Sequence, residues 1–133
     1  MTTKETAIKL TRDNLMHIFG ESDEAKRLKT IETLWFPSGE CMFIDAMGVF
    51  KTHQAISGMV SQLEEMNPGQ VFTELSSYDV LQQDKETDTW VTRVKWGVGP
   101  PGKKPGLTGW DVVTIVGGKI KACYTFLGDP IQK

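Results

Sequence analysis

The sequence predicts an α+β domain in which helices pack on one side of an antiparallel sheet. Apolar residues recur at helical spacing in the first half of the chain and alternate with period 2 from residue 70 onward. Gly117-Gly118 separates the last two alternating segments and predicts a tight hairpin turn, because glycine tolerates the positive φ of such turns. The second half shows no crossover helix, so its strands are expected to be antiparallel.

Two helices are expected before the first strand. Asp13 to Phe19 has apolar positions on one helical face and ends at Gly20, which leaves residues 1–10 as a loose N-terminal extension. Ser22 or Asp23 can cap the second helix, whose apolar positions continue to Trp35.

The third helix has the strongest pattern. Thr52 is a good N-cap, an apolar stripe follows, and Asn67-Pro68-Gly69 ends the helix. Residues 41–45 form a short strand before it. The alternating second half predicts four longer strands: Val71–Leu81, Thr89–Trp96, Leu107–Val116 and Lys119–Leu127.

Length and charge limit the classes of partner. The 133 residues suit one domain, 1–133, with a single core. A net charge of -2 gives no electrostatic reason to expect nucleic acid or an anionic membrane as partner. No apolar run approaches the ~20 residues of a membrane span, and the N-terminus lacks a signal-peptide pattern. We expect a cytoplasmic protein that binds neither nucleic acid nor a membrane.

No cofactor or metal is expected. Residues 97–104 nearly spell a phosphate-binding loop, but Lys104 replaces the Ser or Thr that holds magnesium, and Pro105 stands where a helix should start. His17 and His53 lack paired-ligand spacing, as do the two cysteines. His53 is expected to face solvent in the first turn of the third helix.

Two aspartates lie in apolar surroundings. Asp45 ends the short strand, either in water or inside an apolar cavity. Asp111 shares one strand face with Val113, so it either points into the interior or faces outward and pairs with Arg93 or Lys95. A buried carboxyl without a partner has a raised pKa, which suits general acid–base chemistry.

Three of the four tryptophans lie on predicted strands. Trp90 and Trp96 project from the same face of one strand, and Trp110 lies on the next. They fit core packing or an oligomer interface. A row of tryptophans on the outer sheet face favours self-association.

Four segments carry a likeness to a known family: ETLWFPSGECMFID, GVFKTHQAISGMV, LTGWDVVTI and GGKIKACYTF. In their order and spacing they resemble the nuclear transport factor 2-like superfamily, in its SnoaL-like polyketide cyclase and ketosteroid isomerase branch. The resemblance implies one SnoaL-like domain, a cone-shaped curved sheet wrapped around three helices, and an apolar pocket at one end. It also implies a homodimer formed through the outer sheet face.

The resemblance further implies a catalytic pair. Asp45 matches the position of the base that closes the first strand, and Asp111 matches the second acid on the penultimate strand. The tyrosine that ketosteroid isomerases carry on helix 1 is absent, and His17 is the nearest polar candidate. Arg93 could complete an Asp–Arg–Asp set like that of an epoxide hydrolase of this fold. The residues predicted to bind substrate are His17, Phe19, Trp35, Met59, Arg93, Val113 and Leu127, with Leu15 and Ile56 as further candidates for the pocket wall.

These expectations favour a cofactor-independent isomerase, cyclase or dehydratase that acts on a small apolar carbonyl compound, such as a polyketide or terpenoid intermediate. Asp45 would remove a proton next to the carbonyl, and protonated Asp111 would donate a hydrogen bond to the enolate oxygen. The alternatives are a non-catalytic module that binds a small ligand or a dimeric partner, and a purely structural dimer.

Overall fold

The computed structural model describes residues 1–128. The first helix, α1 (Lys4–Asn14), continues directly into a π-helix (Leu15–Phe19), and α2 (Glu24–Leu34) and α3 (His53–Met66) follow. The strands are β1 (Met42–Asp45), β2 (Gly48–Phe50), β3 (Val71–Glu74), β4 (Asp79–Asp84), β5 (Thr89–Gly99), β6 (Leu107–Val116) and β7 (Lys119–Leu127). Within these residues, no helix is long and apolar enough to cross a bilayer.

The strands form one curved sheet in the order β2-β1-β7-β6-β5-β3, with β4 also paired to β5. The helices cover its inner face, and the core between them includes Ile31, Ile56, Phe43 and Val113. The predicted α+β class and helix-wrapped curved sheet are therefore confirmed.

One pairing corrects the expectation of a purely antiparallel sheet. β1 pairs with β7 in parallel, with Phe43 opposite Cys123. These strands are far apart in the chain, so no short connection constrains their direction. Alternation within single strands carries no information about such a long-range pairing.

The predicted helix starts of α2 and α3 are confirmed. The Asp23 side chain accepts a hydrogen bond from the Lys26 amide, and that of Thr52 accepts one from Ala55. The structure differs on His53, which was expected to face solvent. Its ring is buried, and its Nε2 lies 2.7 Å from the carbonyl oxygen of Phe36.

Residues 4–10 are not a loose extension. They form most of α1, and their Ala7 and Leu10 are buried in the core. The buried face of α1 continues through two polar residues, Thr11 and Asn14, which a hydrophobic periodicity overlooks. Asn14 is satisfied there because its Oδ1 accepts a hydrogen bond from Trp35 Nε1 at 2.8 Å.

The predicted strand Val71–Leu81 is two strands. β3 and β4 both pair with β5, and the chain leaves the ladder between them around Ser76. Ser76 Oγ accepts a hydrogen bond from the Lys95 amide, so a side chain takes the place of a ladder carbonyl there. The short strand β2, which pairs with β1, was not predicted.

The tryptophans do not form the row on the outer sheet face that the sequence suggested. Trp90 and Trp96 point inward and are 7% and 5% exposed, and Trp35 is buried beside β7. Trp110 alone lies on the outer face, since it alternates with the inward-facing Asp111. A row of tryptophans therefore does not support self-association.

Candidate active site

A cavity of about 460 Å³ opens at the end of the sheet where β1, β6 and β7 meet the π-helix and α3. This volume accommodates a small organic molecule. Its wall is mostly apolar and aromatic. The residues that line it include Leu15, Phe19, Phe43, Asp45, Glu64, Gln70, Phe72, Trp96, Asp111, Thr125 and Leu127.

Asp111 lies on the inner face of β6 and is 3% exposed. Its Oδ1 accepts two hydrogen bonds, from Trp96 Nε1 and from Thr125 Oγ1, each at 2.8 Å. The alternative of an outward-facing Asp111 paired with Arg93 or Lys95 is therefore wrong. Those two residues alternate with Val94, the inward-facing partner of Asp111 across the ladder, so they lie on the opposite face.

Burial raises the pKa of Asp111 from 3.8 to about 6. The hydrogen bonds from Thr125 and Trp96 stabilise the carboxylate and lower the pKa, while the negative charge of Asp45 raises it. Desolvation is the largest of these effects, so the carboxyl holds its proton more tightly than an aspartate in water.

The two oxygens of Asp111 are not equivalent. Both of its side-chain hydrogen bonds go to Oδ1, and among residues 1–128 no partner is bonded to Oδ2. Since Asp111 lines the cavity, protonation at Oδ2 leaves an O–H that can donate to a bound molecule.

Asp45 ends β1 and lines the same cavity. Its Oδ1 accepts a hydrogen bond from the Met47 amide at 2.8 Å, which fixes the carboxyl in the turn between β1 and β2. It is half-buried rather than in bulk water. The structure thus brings the two predicted carboxyl groups to one cavity.

Trp96 and Thr125 were not predicted as site residues. Thr125 is directly opposite Asp111 in the ladder between β6 and β7, and Trp96 lies two residues beyond the Asp111 partner on β5. The strand register was the signal that could have found them. Gly109 makes room for the indole, because a Cβ at Gly109 would lie 2.4 Å from Trp96 Cζ2.

The remaining predicted binding residues divide into those that line the cavity, those in the core and those outside the site. Phe19 and Leu127 line the cavity, as does Leu15, which shares a side of the π-helix with Phe19. Trp35, Met59, Val113 and Ile56 lie in the core and do not reach the cavity.

His17 and Arg93 lie outside the site, which corrects both expectations. The His17 side chain is 63% exposed, and its Nε2 is 3.9 Å from Asp13 Oδ1 on the outer side of the helix. Arg93 is on the outer sheet face, where its Nε donates to Asp79 Oδ2 at 2.8 Å. The Asp–Arg–Asp set is therefore not formed.

The end of α3 and the loop that follows it contribute polar residues to the cavity wall, which the sequence did not predict. Glu64, Asn67 and Gln70 all line the cavity. Glu64 follows Val60 by four residues, so helical spacing places it beside the apolar stripe. Within residues 1–128, no three His, Cys, Asp or Glu side chains lie close enough together to hold a metal ion.

Comparison with known proteins identifies the fold that carries this cavity. No protein-family model and no curated protein matches the chain. Among solved structures, a candidate isomerase of the SnoaL-like family from Agrobacterium tumefaciens is similar at 20% identity. It has a TM-score of 0.78, with 94% of this chain and 99% of that chain covered.

Two further structures agree. A nuclear transport factor 2-like superfamily protein from Salmonella enterica has a TM-score of 0.70 at 13% identity, with 97% of this chain and 93% of that chain covered. A candidate ketosteroid isomerase from Kribbella flavida has a TM-score of 0.61 at 11% identity, with 97% and 82% covered. The chain therefore has the nuclear transport factor 2-like fold, as its resemblance to that superfamily predicted.

Proposed function

We propose that this chain is a cofactor-independent acid–base enzyme that acts on a small, largely apolar carbonyl compound, such as a polyketide or terpenoid intermediate. The observation that carries the proposal is the presence of Asp45 and Asp111 on one apolar cavity, in different environments. Titratable groups whose surroundings differ in this way suit separate acid and base roles. The candidate isomerases among the structural neighbours support the same class of reaction.

Asp45 is the base. Its carboxylate removes a proton from the carbon next to the substrate carbonyl, and the C–H electron pair moves into the new C=C bond while the carbonyl π pair moves onto oxygen. The Asp111 Oδ2–H donates a hydrogen bond to that enolate oxygen. Returning the proton from Asp45 to another carbon gives isomerisation. Attack of the enolate carbon on a second carbonyl carbon gives ring closure, and the new alkoxide takes up the proton held by Asp45. Departure of a β-hydroxyl as water, with the proton held by Asp45, gives dehydration.

The proposal is tested by hydrogen exchange, which requires only proton removal and not the natural substrate. 2-Tetralone, a small bicyclic ketone, is incubated in D₂O with the protein, and loss of its α-proton NMR signals is followed. We expect the wild type to exceed the buffer rate and Asp45→Asn to lose this acceleration by about 100-fold or more. Asp111→Asn retains a neutral hydrogen-bond donor, so it should lose less than Asp111→Ala.

Asp79→Asn is the matched control, since it makes the same chemical change on the outer face. Equal exchange rates for wild type and Asp45→Asn would remove the base from the mechanism. If the ketone binds but exchanges at the buffer rate, the alternative of a non-catalytic ligand-binding module is favoured.

We also propose a homodimer through the outer sheet face. Phe126 is 62% exposed there, opposite Trp110 in the ladder between β6 and β7. Trp110 Nε1 is buried without a hydrogen-bond partner among residues 1–128, and Arg93 lies 5.5 Å from the indole centre. A second copy on this face would cover the exposed ring.

A further inference from the structure

The charged groups on the cavity wall all have one sign. Asp45, Glu64 and Asp111 line it, and no Lys, Arg or His among residues 1–128 does. The two basic residues predicted for the site, His17 and Arg93, lie outside it. An anionic group inside the cavity would therefore meet carboxylates and no counter-charge.

Two independent features make this charge effective. The negative charge of Asp45 raises the pKa of Asp111, and no cationic group is among the causes that shift it. The walls between the carboxyls are aromatic, with Phe19, Phe43 and Phe72 among them. Such walls keep the local dielectric constant low, so like charges repel more strongly than they would in water.

Glu64 is the third carboxyl group on the cavity wall. It lies near the end of α3 and lines the cavity together with the exposed residues Met47 and Leu127. The Gly69 amide lies 3.5 Å from Glu64 Oε1, which is a weak contact with a neutral group. This contact brings no positive charge to the Glu64 carboxyl group.

We propose that the cavity selects ligands without negative charge and disfavours anionic ones, with Asp45 and Glu64 as the determinants. Ketones, esters and lactones fit this class, whereas free carboxylates, sulfonates and phosphate-bearing thioesters do not. This inference deepens the proposed function because it makes the substrate an uncharged carbonyl compound rather than a free acid.

A matched pair of fluorescent probes tests the charge preference directly. N-phenyl-1-naphthylamine and 1-anilinonaphthalene-8-sulfonate share one skeleton and differ by a single sulfonate. We expect the neutral probe to bind at least about tenfold more tightly than the anionic probe, and the anionic probe to displace it only weakly. Equal affinities overturn the proposal, as does failure of the neutral probe to bind.

Charge variants with matched controls identify the determinants. Glu64→Gln and Asp45→Asn should each reduce the affinity ratio by about threefold or more, whereas Glu32→Gln, an exposed position on α2, should leave it unchanged. Gln70→Lys places a cation on the wall and should restore binding of the sulfonate, whereas the exposed Gln54→Lys should not. Equal ratios in each variant and its control overturn the assignment of Asp45 and Glu64.

The probe measurement and the exchange measurement test the charge preference and the acid–base function independently. Charge selection is measured by binding without turnover, so a protein that exchanges no ketone protons can still show it. Conversely, ketone exchange by a protein that binds both probes equally would retain the acid–base function and remove only the charge preference.

Discussion

Asp111→Asn is the substitution with the most specific expected effect on stability. The side chain keeps its size and one carbonyl oxygen, so the hydrogen bonds from Trp96 and Thr125 to Oδ1 can persist. The group that titrates is removed. Any change in the pH dependence of unfolding between wild type and variant therefore reports the ionisation of Asp111.

The magnitude follows from the raised pKa. Below the unfolded-state pKa of 3.8, both the folded and unfolded chains hold the proton, and Asp111 lowers the free energy of unfolding by nothing through ionisation. Between 3.8 and about 6, the unfolded chain releases the proton while the folded chain keeps it, so the free energy of unfolding falls as pH rises. Above about 6, both forms are ionised and the full cost is present. A shift of roughly two pKa units corresponds to about 3 kcal/mol.

The assay is urea unfolding followed by tryptophan fluorescence, from pH 4 to pH 7.5 at one protein concentration. The stability of Asp111→Asn relative to wild type should rise by about 2.4 kcal/mol across this range, because the unfolded chain is already partly ionised at pH 4. The exposed Asp79→Asn should change by less than about 0.5 kcal/mol. A difference between Asp111→Asn and wild type that stays flat with pH would refute the assignment of a raised pKa to this carboxyl.

Three further predictions concern packing and assembly. Gly109→Ala should destabilise the fold by about 1–3 kcal/mol in urea unfolding, because its Cβ overlaps the Trp96 ring; an unchanged midpoint would contradict that close contact. Arg27→Met removes the buried hydrogen bonds that join α2 to α3 at Ser57, and should cost about 2–4 kcal/mol by the same measurement; a loss below about 1 kcal/mol would exclude this role. Light scattering should give about 30 kDa, twice the 14.9 kDa chain, and Phe126→Asp should give the monomer mass while Met66→Asp on α3 does not; a monomeric wild type would exclude the outer-face dimer.

Local patterns in the sequence predicted the elements whose stabilisation is local. The caps at Asp23 and Thr52 and the alternation of β6 depend on neighbouring residues, and these predictions were correct. α1 was missed because its buried face includes Thr11, whose hydroxyl lies 2.6 Å from that of Thr92 and is satisfied only by the fold. The parallel pairing of β1 with β7 joins distant segments, and no local pattern encodes it.

The candidate site also combines features that a local pattern predicts with features that depend on long-range strand pairing. Alternation alone predicted that Asp111 could face inward, and the resemblance brought Asp45 to the same pocket. The partners of Asp111 depend on the register of β5, β6 and β7, which places Trp96 beside it. The resemblance suggested roles for His17 and Arg93, but the orientation of these side chains is set by the π-helix and by strand alternation, and both lie outside the cavity.

The pKa of Asp111 predicts that an uncharged ligand binds together with a proton. With a pKa of about 6, roughly one tenth of the unliganded molecules carry the proton at pH 7. An apolar ligand displaces water from the cavity and adds to the desolvation that already dominates, so the pKa of Asp111 rises further. Binding of N-phenyl-1-naphthylamine at pH 7 should then take up about 0.5 to 0.9 protons per site. Titration calorimetry in buffers of different ionisation enthalpy measures this number directly.

Asp111→Asn should reduce the uptake to near zero, while Asp79→Asn should leave it unchanged. Uptake that survives in Asp111→Asn would assign the proton to another group, with Asp45 and Glu64 on the same wall as the candidates. Absence of uptake in the wild type would mean that Asp111 stays ionised beneath the ligand, and an ionised Asp111 cannot donate the hydrogen bond that the proposed mechanism requires.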